Sequence, residues 1–224
     1  MQLTKSQLEQ FESEGWVLLL DLFSPEEIDV LKGELPKIFA MNRDEVWRES
    51  DGEAVRTAFA AHTYNEAFGR LGCHPRLIHP VMQLLEGPVY MHQYKINGKA
   101  AFNGDVWQWH QDYGTWARDD QMPEPRAMNI ALFLDEVTEF NGPLYMIPRS
   151  HKQGVIEAGH DTLTTSYPLW TLDKETVSRL ADEGGIIAPK GKPGTVILFH
   201  SNIVHASAPN ISPWDRVIVY LSLC

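Results

Sequence analysis

Val89-Tyr90-Met91-His92-Gln93-Tyr94-Lys95-Ile96-Asn97 is the stretch in which the repeat of this chain changes from helical to alternating. Alternate residues of a strand share a face, so Val89, Met91, Gln93, Lys95 and Asn97 line one side and Tyr90, His92, Tyr94 and Ile96 the other. Successive polar positions on one face suit a strand that lines a pocket. Upstream the spacing is helical. Thr4 caps a helix carrying Leu8 and Phe11 that ends near Gly15, and Trp16 to Leu20 reads as a short buried strand. Ser24-Pro25-Glu26-Glu27 opens a second helix through Ile28 and Leu31, expected to be disturbed at Pro36. A third helical stretch starts at His74-Pro75, buries Val81, Leu84 and Leu85, and stops at Gly87-Pro88. Downstream, strands are predicted over 126–134, 142–147, 194–200 and 216–223, separated by turn residues. The fold class expected is mainly β with flanking helices, a sandwich or jelly roll. Helical support spans about 1–88 and a barrel about 89–224. A polar insertion over about 154–192, with one helix at Lys174 to Ala181, is placed to cover a site.

At 224 residues the chain fits one domain with a sizeable core, and 43% apolar with 22% charged residues is an ordinary globular composition. A formal charge of −11 disfavours nucleic acid and anionic membranes as partners and leaves a small molecule. Cys73 and Cys224 are far apart without CxxC spacing, which argues against a disulfide framework or zinc knuckle and for a reducing cytoplasm. Met1 to Ser6 has no apolar signal core, and no run reaches the roughly eighteen apolar residues of a membrane span, so a soluble, unprocessed protein is expected.

The chemistry lies in Trp109-His110-Gln111-Asp112, His205 and Arg216. Two imidazoles and one carboxylate hold non-haem Fe(II) on one face and leave the opposite positions open. On a strand, His110 and Asp112 project together while Gln111 faces away. His205 is the third ligand expected, just after a strand and before the turn Pro209-Asn210-Ile211-Ser212-Pro213, with His200 as its rival. A hairpin through that turn is expected to bring Arg216 beside His205. A buried arginine needs an acid partner, and none is obvious nearby, so a dicarboxylic co-substrate spanning metal and guanidinium fits, with Ser207 adding a hydroxyl. Among nine histidines and thirty acids a chance HxD is common, and only the added His and Arg give the pattern weight.

These residues, with the opening Leu8-Glu9-Gln10-Phe11-Glu12-Ser13-Glu14-Gly15-Trp16-Val17, resemble the phytanoyl-CoA dioxygenase family of Fe(II)/2-oxoglutarate oxygenases over essentially the whole chain. Trp109 to Tyr113, Val137 to Pro143 and Ala208 to Pro213 are most similar to bacterial hydroxylases of free aliphatic amino acids of the leucine type, then to ectoine hydroxylase. The resemblance implies a double-stranded β-helix, a cupin-like jelly-roll barrel. It implies Fe(II) on His110, Asp112 and His205, with 2-oxoglutarate and O2 as co-substrates and succinate and CO2 released. Arg216 and Ser207 would hold the distal carboxylate of 2-oxoglutarate, with Gln93, Asn97, Thr115 and Trp116 completing that pocket. Phe199 matches a substrate-contacting position or is a core aromatic. Related halogenases carry Gly or Ala in place of Asp112, so its carboxylate favours hydroxylation.

For a zwitterionic substrate, Arg56 with His62, or Arg126, are candidate carboxylate partners, each with a structural role as the plainer alternative. Trp47, Phe59 and Trp170 either line an apolar pocket or simply pack. An acyl-thioester, carrier-tethered or other natural-product substrate is the alternative, favoured if Lys190 and Lys192 form a basic patch at the pocket mouth. A non-catalytic ligand-binding barrel is the third reading, disfavoured because a pure binding module needs no complete iron ligand set.

Overall fold

The structure is a computed structural model that describes residues 1–165 and 167–224; Ser166, inside the predicted insertion, lies outside the described residues. In chain order the elements are α1 (Lys5–Glu14), β1 (Trp16–Leu19), α2 (Pro25–Phe39), β2 (Val46–Arg48), β3 (Val55–Phe59), α3 (Glu66–Gly72), α4 (Pro75–Leu84), β4 (Met91–Lys99) and β5 (Trp107–His110). There follow α5 (Asp112–Asp119), β6 (Met128–Phe133), β7 (Leu144–Ile147), β8 (Gly159–Asp161), β9 (Leu169–Thr171), α6 (Lys174–Gly184), β10 (Val196–His200), β11 (Val204–Ser207) and β12 (Arg216–Leu223).

A seven-stranded antiparallel sheet, ordered β1-β10-β6-β12-β4-β3-β2, faces a three-stranded sheet ordered β5-β11-β7. Together they form the double-stranded β-helix. Period-two alternation sorts the large sheet into two buried faces. On β12, Val217, Val219, Leu221 and Leu223 join the core beneath the helices, whereas Ile218 and Tyr220 join the core between the sheets. On β10 the same division puts Val196 and Leu198 outward, Ile197 and Phe199 inward. A sheet covered on both faces reads as a continuous apolar run, which is why β10 and β12 look unbroken in the sequence.

The helices cover the outer face through Phe11, Ile28, Leu31, Leu35, Leu77 and Val81. Their starts follow the sequence signals. Thr4 and Gln7 form a capping box on α1, Ser24 and Glu27 another on α2, and Gly15 closes α1 in the left-handed conformation at φ 83°. A cap of this kind stabilises its helix by about 1 kcal/mol. Pro36 does not end α2, which continues to Phe39; at that position proline removes only one donor in the last turn.

Four expectations are corrected here. The first eighty residues are not simply helical, because β2 and β3 extend the large sheet beyond β4. Asp112 opens α5 rather than continuing a strand. His205 lies within its own strand, β11, not after one. Arg216 and His205 are not on paired strands of one hairpin: β12 pairs with β4 and β6, while β11 pairs with β5 and β7, so the two side chains approach from opposite sheets. No helix of the described residues is long and apolar enough to cross a membrane.

Candidate active site

The antiparallel pairing of β5 with β11 sets His110 directly opposite His205, with ring centroids 4.1 Å apart. Gln111 stays extended (φ −119°, ψ 128°) as the residue before α5, so the alternation of β5 persists one step and turns Asp112 to the same side as His110. Gln111 points the other way. Its amide donates to the carbonyls of Gly154 and Asn202 at 2.8 and 2.7 Å, fastening the start of the 154–192 segment to the barrel. Asp112 Oδ1 lies 3.7 Å from His110 Nε2, and Oδ2 lies 3.5 Å from His205 Nε2.

This arrangement fits a metal ion. Two donors about 2.1 Å from one ion and at right angles are about 3 Å apart, close to the separations present. His110 Nδ1 faces the Gln108 carbonyl at 2.6 Å, and His205 Nδ1 faces that of Ile203 at 3.0 Å. An N–H on each Nδ1 leaves each Nε2 lone pair directed at the carboxylate and free for a cation. Asp112 Oδ2 accepts from Asn129 Nδ2 at 2.8 Å, and Asn129 Oδ1 accepts from Ser222 Oγ at 2.7 Å. Among the described residues, these three are the one cluster whose His and carboxylate ligand atoms converge within 4.8 Å.

Electrostatics hold all three in ligating form. Burial, reinforced by His205, pushes His110 down to about 3, and burial also lowers His205, which favours the neutral, ligating form of each ring. Burial alone would raise Asp112, but Lys95, His205 and His110 nearby, with the Asn129 hydrogen bond, hold it below the usual carboxylate value.

A cavity of about 200 Å³ opens onto this trio, below the span usual for drug-sized ligands, which restricts its occupants to small molecules. Gln93, Asn97, Thr115, Trp116, Ser207 and Arg216 all line it. Arg216 is 2% exposed, donates from Nη2 to the Gly142 carbonyl at 2.8 Å, and has an Nε without a partner. Burial lowers its pKa, partly offset by Tyr220. A buried guanidinium held by a carbonyl and a tyrosine hydroxyl, with no carboxylate at salt-bridge distance among the described residues, is the complement of an anion. Gly142 has φ 73°, and a Cβ there would stand 2.5 Å from the Ala208 carbonyl, so the turn that holds Arg216 requires glycine.

The structure does not bring the remaining candidates to the cavity wall. Phe199 is fully buried between the sheets and meets the His205 ring edge-on at 5.2 Å, so it braces a ligand. Arg56 is neither a surface residue nor a cavity residue. On β3 it is 1% exposed, pairs with Glu49 at 3.0 Å, donates to the Val106 carbonyl at 2.7 Å and stacks under Trp107 at 4.0 Å. His62 stacks on Tyr94 at 4.7 Å, on the helix-covered face of the large sheet. Arg126 is exposed and donates to the Leu85 carbonyl. Trp47 and Phe59 pack against Tyr167, while Trp170 stacks on His160. Lys190 pairs with Glu139 at 3.4 Å, and Lys192 lines a separate groove with Asp21 and Asp29, so among the described residues these two lysines form no basic patch at the mouth. His200 lies against Phe11 and His151, outside the ligand trio.

Several site residues escaped the sequence reading. Trp107, Leu144, Tyr167 and Tyr220 line the cavity, and Asn129 supports Asp112. Lys95 lines it too, on the face that the alternation of the sequence turns toward a pocket. Asn129 and Ser222 were signalled as polar residues inside apolar strands, where an unpaired group is costly.

The chain matches the phytanoyl-CoA dioxygenase family over residues 11–218. It is 35% identical to an ectoine dioxygenase of Bordetella parapertussis, over 98% of this chain and 74% of that protein. It is 34% identical to an L-proline trans-4-hydroxylase of Streptomyces griseoviridis, over 95% of this chain and 83% of that one. Among solved structures, EctD from S. alaskensis with 2-oxoglutarate and 5-hydroxyectoine superposes with a TM-score of 0.88 at 34% identity, covering 99% of this chain and 76% of that one. EctD with bound Fe superposes at 0.87.

Proposed function

This chain belongs to the phytanoyl-CoA dioxygenase family and is an iron- and 2-oxoglutarate-dependent hydroxylase, and on that premise we propose that it oxidises an unactivated C–H bond of a free L-amino acid or a compact derivative of one. In this reading His110, Asp112 and His205 hold Fe(II). Arg216 and Ser207 take the distal carboxylate of 2-oxoglutarate, with Gln93, Asn97 and Thr115 completing that end of the cavity. Iron with 2-oxoglutarate and O2 supplies the oxidising power, and succinate and CO2 are the by-products.

The protein's own contribution is placement and dryness. Asn129 and the two backbone carbonyls fix the ligand orientations, and Trp107, Trp116, Tyr167 and Leu169 wall the cavity against water. The observation that carries the reading is the buried guanidinium of Arg216, with no salt-bridged carboxylate among the described residues, on the wall of the same cavity onto which the ligand trio opens. The relatives named for ectoine and L-proline support the substrate class. The cavity size agrees with it.

The test is succinate release by Fe(II)-reconstituted protein with 2-oxoglutarate and a panel of the common amino acids and ectoine. Stimulation by one or more panel members is expected. His110→Ala and Asp112→Ala should each abolish it, and Arg216→Lys should raise the 2-oxoglutarate KM about ten- to a hundredfold with the iron requirement unchanged. Unaltered succinate formation in the ligand variants, or equal shifts for iron and 2-oxoglutarate in Arg216→Lys, refutes the assignment.

A further inference from the structure

We propose that Lys95 anchors the carboxylate of the substrate and so decides which end of the molecule enters the cavity first; the proposal rests on the amino-acid reading above. Lys95 stands between Gln93 and Asn97 on the inward row of β4. Its side chain is 16% exposed, and its Nζ lies 4.0 Å from Asp112 Oδ1, too long for a hydrogen bond. Asn129 engages Asp112 Oδ2 and Lys95 stands nearest Oδ1, so the long ion pair to a carboxylate of the ligand trio leaves the Lys95 ammonium without a hydrogen bond among the described residues.

Lys95 and Arg216 are the two Lys or Arg side chains among the described residues lining the cavity. Their backbone positions are well separated. Lys95 is in register with Tyr220 and Arg216 with Lys99, an offset of four residues along the paired strands. At ~3.3 Å per residue that is about 13 Å of strand. A five-carbon diacid measures only about 5 Å between its end carbons, from C–C bonds of about 1.5 Å. With Arg216 assigned to the distal carboxylate of 2-oxoglutarate, Lys95 is the remaining Lys or Arg side chain on the cavity wall for a carboxylate of the substrate.

The outer part of the cavity has the opposite sign. Asp119 and Asp120, both exposed at the end of α5, line it. Asp119 accepts from Trp170 Nε1 at 3.0 Å, and Asp120 faces His92 Nε2 at 3.1 Å, which holds both carboxylates at the rim. Such a field repels an entering carboxylate and attracts an ammonium group. A zwitterion is then oriented with its carboxylate at Lys95 and its ammonium group toward the mouth.

The experiment uses the Fe(II)-loaded enzyme with L-proline, L-leucine and ectoine as probes, and the carboxamides of the two amino acids as analogues lacking the charge. Wild type should favour each accepted acid over its amide at least tenfold in KM. Lys95→Met should raise the KM of the acid ten- to a hundredfold and bring the acid-to-amide ratio near one. Its 2-oxoglutarate KM, measured from turnover without substrate, should stay within twofold, and Lys95→Arg should restore most of the discrimination. A merely structural lysine would move both constants and gain nothing from arginine. Discrimination retained in Lys95→Met, or an equal rise in the 2-oxoglutarate KM, overturns the anchor while leaving the amino-acid reading intact. Wild type that responds to no member of the amino-acid and ectoine panel overturns both together.

Discussion

Replacing Asn129 with leucine keeps the number of side-chain heavy atoms and removes two hydrogen bonds, one to Asp112 and one from Ser222; set against Ser222→Ala, which removes only the second, it isolates how much of the metal affinity comes from holding Asp112 still. Asn129 is 1% exposed and donates to Asp112 Oδ2 at 2.8 Å, so the lost interaction is a buried, charge-assisted one. Such bonds contribute about 1.5–3 kcal/mol, which converts to roughly a ten- to hundredfold loss of Fe(II) affinity. Ser222→Ala is the graded control. It removes only the donor to Asn129 Oδ1 at 2.7 Å and leaves the bond to Asp112 in place, so its effect should stay within a few-fold. Iron titration at fixed 2-oxoglutarate, followed by succinate formation, reads both variants. Thermal melting of the metal-free protein shows whether each is folded, and the rise in melting temperature with added Fe(II) gives a second measure of affinity independent of turnover. A folded Asn129→Leu protein whose iron midpoint stays within twofold of wild type would falsify the positioning role and assign the orientation of Asp112 to its backbone alone.

Two further perturbations test the scaffold. Burial, assisted by His151, holds the His200 ring down to about 4, below an unfolded value near 6.5; folding therefore disfavours its proton, and its stability contribution is present above 6.5 and lost as pH falls toward 4. Denaturant titrations at pH 7.5 and 4.5 should show His200→Asn losing about 2–3 kcal/mol less than wild type over that interval, and parallel losses would sink the prediction. Arg56→Met breaks the buried pair with Glu49 and should destabilise by about 3–5 kcal/mol in urea unfolding. The folded fraction should keep its substrate KM, because Arg56 lies behind Trp107; a raised KM with normal stability would return Arg56 to the substrate site.

Much of the architecture was legible because burial leaves a period in the sequence. The caps at Thr4 and Ser24 marked α1 and α2, and apolar runs marked β6, β10 and β12. β3 was missed because Val55-Arg56-Thr57-Ala58-Phe59 carries a charge, and only the partners Glu49, the Val106 carbonyl and Trp107 make that charge compatible with burial. Arg216 was expected beside His205 by way of a hairpin. It shares the cavity, yet the chain crosses from one sheet to the other after β11, a step that no local signal encodes.

The sequence by itself determined the ligand types, the alternation that turns His110 and Asp112 to one side, and the class of fold, because each depends on neighbours within a few residues. Tertiary structure alone decided that β11 lies in register with β5, that Asn129, held by Ser222, reaches Asp112, and that Arg56 is enclosed. Those outcomes depend on which strands pair and in what register. That choice follows from the summed burial of two opposed sheets, a quantity spread over the whole chain and carried by no single segment.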